Sequence, residues 1–227
     1  MKIVKKRVIP MKKYNSFLFD ADGTILDTTD LIVHCFRTTI NHFKKPAISD
    51  DEIKKYIGLP FLSQCEKYFG NISEEEAILI RNFHRNYQLS VFEKYIKLLP
   101  GTFSLFKFLK SKGCNIVIVT SRARSTLDIY LKHFELTSLI DFTVTPDDIQ
   151  KPKPDPQSCF HALDMLKEKA SNALFIGDAV FDELCAYRAK IDFALVQWTH
   201  QPRSLFQHVT YEIDSFDHFK QELELWI

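Results

Sequence analysis

The chain holds only 6 glycines in 227 residues, and none of its five cysteines stands in a C-x-x-C pair. Cys35, Cys65, Cys114, Cys159 and Cys185 are odd in number and widely spaced. That pattern excludes a disulfide framework and a zinc knuckle, whose ligands come in close pairs. Buried free thiols in a reducing, cytoplasmic setting are expected instead. Long apolar runs are also missing. None approaches the ~20 residues of a membrane-spanning helix. Excess charge of one sign is missing too: 30 Lys and Arg against 29 Asp and Glu leave a net charge of +1. No global field then draws the chain to nucleic acid or to a membrane surface. Internal repeats and low-complexity tracts are absent from the sequence.

What remains is an ordinary globular composition, 45% hydrophobic and 26% charged. This length suits one large domain, or one domain carrying an insertion. The opening MKIVKKRVIPMKK is basic and lacks the apolar stretch of a signal peptide, so residues 1–12 are expected to be a solvated leader.

Short apolar runs bounded by turn-formers recur along the chain and predict buried strands. They are Phe17-Leu18-Phe19, Asn115 to Val119, Asp141 to Val144, Ala173 to Ile176 and Phe193 to Val196. Helical spacings lie between them: Phe103, Phe106 and Leu109; Leu127, Tyr130 and Leu131; Phe160, Leu163 and Leu166; Leu184 and Tyr187. Strands alternating with helices indicate an α/β fold with a parallel sheet. From Thr28 to about Tyr95 only helical patterns appear. Thr28 to Asp30, Ser49 or Asp50, and Ser73 with Glu76 three residues on are the expected starts. The predicted layout is a core of residues 13–27 and 97–227, interrupted by a helical module over 28–96.

In open parallel sheets, ligands bind at the carboxyl ends of the strands. This chain ends its first strand in Asp20, with Asp22 and Thr24 following, and its second in Thr120 and Ser121. The loop after the third carries Lys151 and Lys153 in KPKPDP, and the fourth ends in Gly177-Asp178 with Asp182 four residues later. Each is unremarkable alone; four in order, each after a strand, are not. Carboxylates crowded together need a cation. An all-oxygen set suits a hard ion, with Mg²⁺ the usual choice beside phosphate. A metal, a lysine and a hydroxyl around one spot make a phosphoryl pocket. Gly23 lets the chain turn sharply after the acids.

On DADGT, IVIVTS, KPKPDP and GDAVFDELCA the chain resembles the haloacid dehalogenase superfamily of phosphohydrolases, over nearly all of its length after about Lys12. The insertion resembles the helical cap of the phosphoglycolate phosphatase-like branch, and the stretch from Val119 to Pro156 looks closest to phosphoglycolate phosphatases and the related inorganic pyrophosphatases. The resemblance implies a Rossmann-like parallel sheet core with an inserted helical cap. It implies Asp20 as nucleophile, Asp22 as general acid and base, and Thr120 with one lysine gripping the phosphoryl oxygens. Mg²⁺ would be held by Asp20, the backbone carbonyl of Asp22, and Asp178. Asp182, Ser121 and Thr24 would support the site. The family places its lysine about 24 or 25 residues before the fourth-motif acid; Lys153 lies 178 − 153 = 25 before Asp178 and Lys151 lies 27 before it, which favours Lys153.

The cap loop IGLPF resembles the specificity loop of this branch and makes Phe61 a substrate-contact candidate, with Lys151 another. The cap's basic candidates are His34, Arg81, His84 and Arg85. A small phosphorylated metabolite, phosphoglycolate-like or pyrophosphate, is the expected partner, with no nucleic acid and no membrane, for a monomer or homodimer. Three alternatives stand beside hydrolysis: a dehalogenase using Asp20 alone, a phosphomutase with a cap acid–base residue, and a catalytically silent phospho-ligand-binding protein.

Overall fold

Seventeen strands and helices follow one another in the computed structural model, which describes residues 12–225. In chain order they are β1 (Ser16–Phe19), β2 (Leu26–Asp27), α1 (Thr29–His42), α2 (Asp50–Lys55), α3 (Phe61–Phe69), α4 (Glu74–Tyr95), β3 (Lys97–Leu98), α5 (Thr102–Ser111), β4 (Asn115–Val119), α6 (Arg124–His133), β5 (Phe142–Val144), α7 (Gln157–Leu166), β6 (Ala173–Gly177), α8 (Val180–Arg188), β7 (Asp192–Val196), β8 (Tyr211–Ile213) and α9 (Phe216–Glu224). Residues 1–11 of the expected leader lie outside the described residues. Lys12 sits at the surface, its Nζ 3.4 Å from Asp192. Among the described residues no helix is long and apolar enough to cross a membrane.

The main sheet is fully parallel, in the order β5-β4-β1-β6-β7-β8. Its two faces follow from the alternation of side chains along each strand. Phe17, Phe19, Ile116, Ile118, Leu174 and Ile176 enter one core with Leu105, Phe106 and Leu127. Leu18, Val117, Val119, Phe175 and Phe193 enter the other with Cys159, Ala162, Cys185 and Ala186. Every predicted strand is present, within a residue of its expected ends.

The helix faces depart from expectation at two places. Phe160 and Tyr187, members of the helical spacings, are 49% and 54% exposed. The small residues Cys159, Ala162, Cys185 and Ala186 face the sheet instead, because they let the helices approach closely. All five cysteines are free and buried, and two distant in sequence meet, Cys159 Sγ lying 3.3 Å from Cys185 Sγ. Strand β8 and helix α9 escaped the sequence reading. YEI holds one buried residue in three and shows no apolar run.

Between β2 and β3 the chain is helical, as expected, and α1 to α4 bury a cluster of their own, including Ile32, Phe36, Ile53, Tyr68 and Ile80. The pair β2–β3 closes the base of this segment. Ser49 and Ser73 cap α2 and α4, each accepting from the backbone N–H three residues on. Thr28 does not cap α1; its hydroxyl donates to Asp22 Oδ1 at 2.6 Å. A further helix, α3, begins inside the stretch read as a loop, at Phe61.

Candidate active site

Strands β4, β1 and β6 lie side by side at the middle of the sheet, so their carboxyl ends bring separate stretches together. Asp20 continues β1, its N–H donating to Ile176 O at 2.9 Å. Thr120 continues β4, its N–H donating to Val144 O at 3.0 Å. Asp178 follows β6, and Asp182 sits in the first turn of α8, where its Oδ2 accepts from the Ala179 N–H at 3.1 Å. Lys153, in the loop after β5, is buried. Its Nζ lies 2.6 Å from Asp20 Oδ1 and 2.6 Å from Asp182 Oδ1, and donates to Val119 O at 3.2 Å. Lys151 is exposed and does not line the cavity described below, so its expected substrate contact is not seen.

Asp20, Asp178 and Asp182 each offer a carboxylate oxygen within 4.8 Å of the others, all buried. From the sequence, Asp20, Asp22 and Asp178 are expected to converge, with Asp22 offering its backbone carbonyl to the metal and Asp182 in support. In the structure the carboxylate of Asp182 joins those of Asp20 and Asp178, and that of Asp22 is bound by Arg122. Burial, together with the neighbouring acids, pushes the Asp20 carboxyl up to about 7 against the pull of Lys153, and holds Asp178 well above the ordinary carboxylate range. Burial disfavours the Lys153 cation, yet Asp182 and Asp20 raise its pKa overall. With all three ionised, three buried carboxylates against one ammonium leave two negative charges. The donors are all oxygen, which fits a hard divalent cation.

Gly23 serves this cluster by absence. A Cβ there would lie 2.4 Å from Asp178 Oδ2, and the residue has φ +80°. The glycine therefore allows close approach as well as the turn read from the sequence. Trp198 Nε1 donates to its carbonyl at 2.9 Å, and Thr24 Oγ1 donates to Asp178 Oδ1 at 3.4 Å. Gly23→Ala is expected to destabilise the fold by about 1–2 kcal/mol from left-handed backbone alone, a fall of roughly 2–4 °C in melting temperature per kcal/mol. A thermal melt indistinguishable from the parent would show that the loop relaxes freely.

The carboxylate of Asp22 belongs to a second network that the sequence did not announce. Arg122, two residues after Thr120, binds it through Nε (3.0 and 2.9 Å) and Nη2 (2.6 Å). Its Nη1 donates to Gln88 Oε1 on α4 at 3.1 Å. Burial works against the guanidinium, but Asp22 holds its pKa above the ordinary value. The Thr120 hydroxyl accepts from the Arg122 N–H at 3.1 Å. The Ser121 hydroxyl is buried without a hydrogen-bond partner among the described residues. The only signal for Arg122 was its place in VTSR, next to a motif but outside it.

A cavity of about 790 Å³ opens above Asp20, Asp22, Thr120 and Ser121, roofed by α1, α3 and α4. Leu59, Pro60 and Phe61 line it, and Phe61 stacks on Phe36 at 5.8 Å between ring centroids. His84 also lines it. Burial, then the nearby Arg122 charge, lowers its pKa to about 3, and its Nδ1 shares a hydrogen bond with Thr39 Oγ1 at 3.0 Å. His34 is away from the cavity, stacked on Tyr95 and hydrogen-bonded to Tyr87.

A family model described as haloacid dehalogenase-like hydrolase matches residues 17–196. Pyrophosphatase PpaX of Bacillus mycoides is 30% identical over 195 residues, covering 86% of this chain and 89% of that protein. A crystal structure from Lactobacillus plantarum, provisionally named a phosphoglycolate phosphatase, superposes with a TM-score of 0.83 at 28% identity, covering 92% of this chain and 99% of the other. A β-phosphoglucomutase structure from Clostridium difficile, 20% identical with a TM-score of 0.79 over 93% of this chain and 98% of its own, shares the fold.

Proposed function

Since the chain belongs to the haloacid dehalogenase-like hydrolase family, we propose that it is a Mg²⁺-dependent phosphatase that hydrolyses a small phosphorylated metabolite, phosphoglycolate-like or pyrophosphate, through an aspartyl-phosphate. One observation carries this reading. A buried lysine bridges Asp20 and Asp182 at 2.6 Å each, beside a third carboxylate, at the floor of a cavity that also receives Thr120.

Lys153 occupies Oδ1 of Asp20, which leaves Oδ2 to attack the phosphorus. As that P–O bond forms, the bond to the leaving oxygen breaks, and Asp22 donates the proton that oxygen needs. Asp22 then takes a proton from water, whose oxygen attacks the same phosphorus. The P–Oδ2 bond breaks, phosphate departs, and Asp20 is a carboxylate again. Thr120 and Lys153 offset the charge that gathers on the phosphoryl oxygens. Asp20, Asp178 and the Asp22 carbonyl would hold Mg²⁺, with Asp182 supporting. When bound, the ion supplies charge neutralisation between nucleophile and phosphoryl group. Residues 28–96 act as the cap, excluding bulk water over the core of 13–27 and 97–227.

The mutase alternative has less support, because His84, the imidazole facing the cavity, is engaged with Thr39 and held neutral. The test is release of p-nitrophenol from p-nitrophenyl phosphate, followed by a screen of phosphorylated metabolites. Turnover that stops with EDTA and returns with Mg²⁺ is expected. A folded protein that releases no phosphate from any of these would instead be a binding protein.

A further inference from the structure

Arg81 and Arg85 line the cavity from α4, and neither takes an ion-pair or hydrogen-bond partner among the described residues. The other arginines there are engaged: Arg122 with Asp22 and Gln88, Arg124 with Asp148 and Thr143. The helix places the free pair deliberately in space. Ile80, His84, Gln88 and Phe92 form its buried seam, and Arg81 and Arg85 sit one position off it, exposed, lining the cavity that Asp20 and Thr120 also line. Three and four residues away from each lie Ala77, Ile78, Asn82, His84, Gln88 and Leu89, with no acid to form an intrahelical pair. At spacing i, i+4 the two cations repel each other. An anion between them turns that repulsion into two charge-assisted contacts.

Gln64 points the same way. Gln64 lines the cavity; its Nε2 donates to Leu59 O at 2.8 Å, which fixes the amide, and its Oε1 is buried with no partner among the described residues. That oxygen accepts a hydrogen bond from a hydroxyl or a protonated acid oxygen. The loop expected to set specificity, Leu59 to Phe61, brings only apolar surface, so polar selection on the cap falls to α4 and Gln64.

We propose that Arg81 and Arg85 form the subsite for a second anionic group, a phosphate or carboxylate, on the part of the substrate that leaves. The inference rests on the phosphatase reading for its catalytic half and selects, within that reading, substrates with two anionic ends over simple monoesters. The experiment uses Arg81→Gln, Arg85→Gln and the double variant, exposed positions where glutamine keeps the helix. Calorimetry measures affinity for methylenediphosphonate and for inorganic phosphate, with Mg²⁺ present. Loss of charge-assisted contacts is expected to lower the diphosphonate-to-phosphate affinity ratio roughly tenfold or more in the double variant. The ratio of kcat/KM for pyrophosphate or phosphoglycolate over p-nitrophenyl phosphate falls in step. An unchanged affinity ratio, or equal losses for all substrates, overturns the subsite. If the parent protein turns over none of these substrates while the affinity ratio still falls, hydrolysis is wrong and the subsite stands.

Discussion

Asp20→Asn is expected to lower kcat by roughly a thousandfold or more while the protein stays folded. The amide keeps the shape of the carboxylate and still offers Lys153 an oxygen, but it cannot attack phosphorus. Folding is spared for an electrostatic reason. Asp20 is one of three buried carboxylates whose oxygens lie within 4.8 Å, and burial with its neighbours pushes its own pKa up to about 7. Removing that charge relieves repulsion, and Lys153 keeps Asp182 at 2.6 Å. Urea unfolding should therefore stay within ~1 kcal/mol of the parent. Turnover within tenfold of the parent would exclude a covalent step at Asp20.

Lys153→Met is expected to strike activity and folding together. The side chains of Lys153, Asp20 and Asp182 are 2%, 6% and 2% exposed. Methionine matches the length of the stem and removes the only ammonium that touches either acid among the described residues. Breaking a buried pair from one side leaves its partner uncompensated, at about 3–5 kcal/mol. That is a large share of the stability of an ordinary domain, about 5–15 kcal/mol. Activity should fall at least a hundredfold, roughly the loss seen when one preorganised donor is removed. Denaturant midpoints with and without Mg²⁺ separate the two effects, because a bound cation offsets part of the lost charge. A variant within ~1 kcal/mol of the parent in both conditions would mean that Asp20 and Asp182 are neutral in the fold, and the ion-pair account would fail.

Much of the core was legible because its signals are local. Short apolar runs that lead to Asp20, Thr120 and Asp178 name both the strand and its carboxyl end. The choice of Lys153 over Lys151 came from the spacing that the family resemblance implies; in the structure Lys153 is buried and Lys151 exposed. Arg122 was not legible: its partners Asp22 and Gln88 lie 100 and 34 residues away. Nor was the place of the Asp182 carboxylate beside those of Asp20 and Asp178, which depends on the direction of a side chain in the first turn of α8. The exposure of Phe160 and Tyr187 was not legible, because helical spacing marks a face without saying where it points, and close packing on the sheet favoured the smaller residues of the neighbouring face.

By itself, then, the order of residues determined a parallel α/β core, a helical insertion after the first strand, and which strand ends carry acids, a hydroxyl and a lysine. Tertiary structure alone decided which carboxylates share a cluster, that an arginine clasps Asp22, and that Arg81 and Arg85 line the cavity with no charge partner among the described residues. Backbone periodicity and strand ends are written in neighbouring residues. The charge partners of a buried group come from anywhere in the chain, and only the folded arrangement selects them.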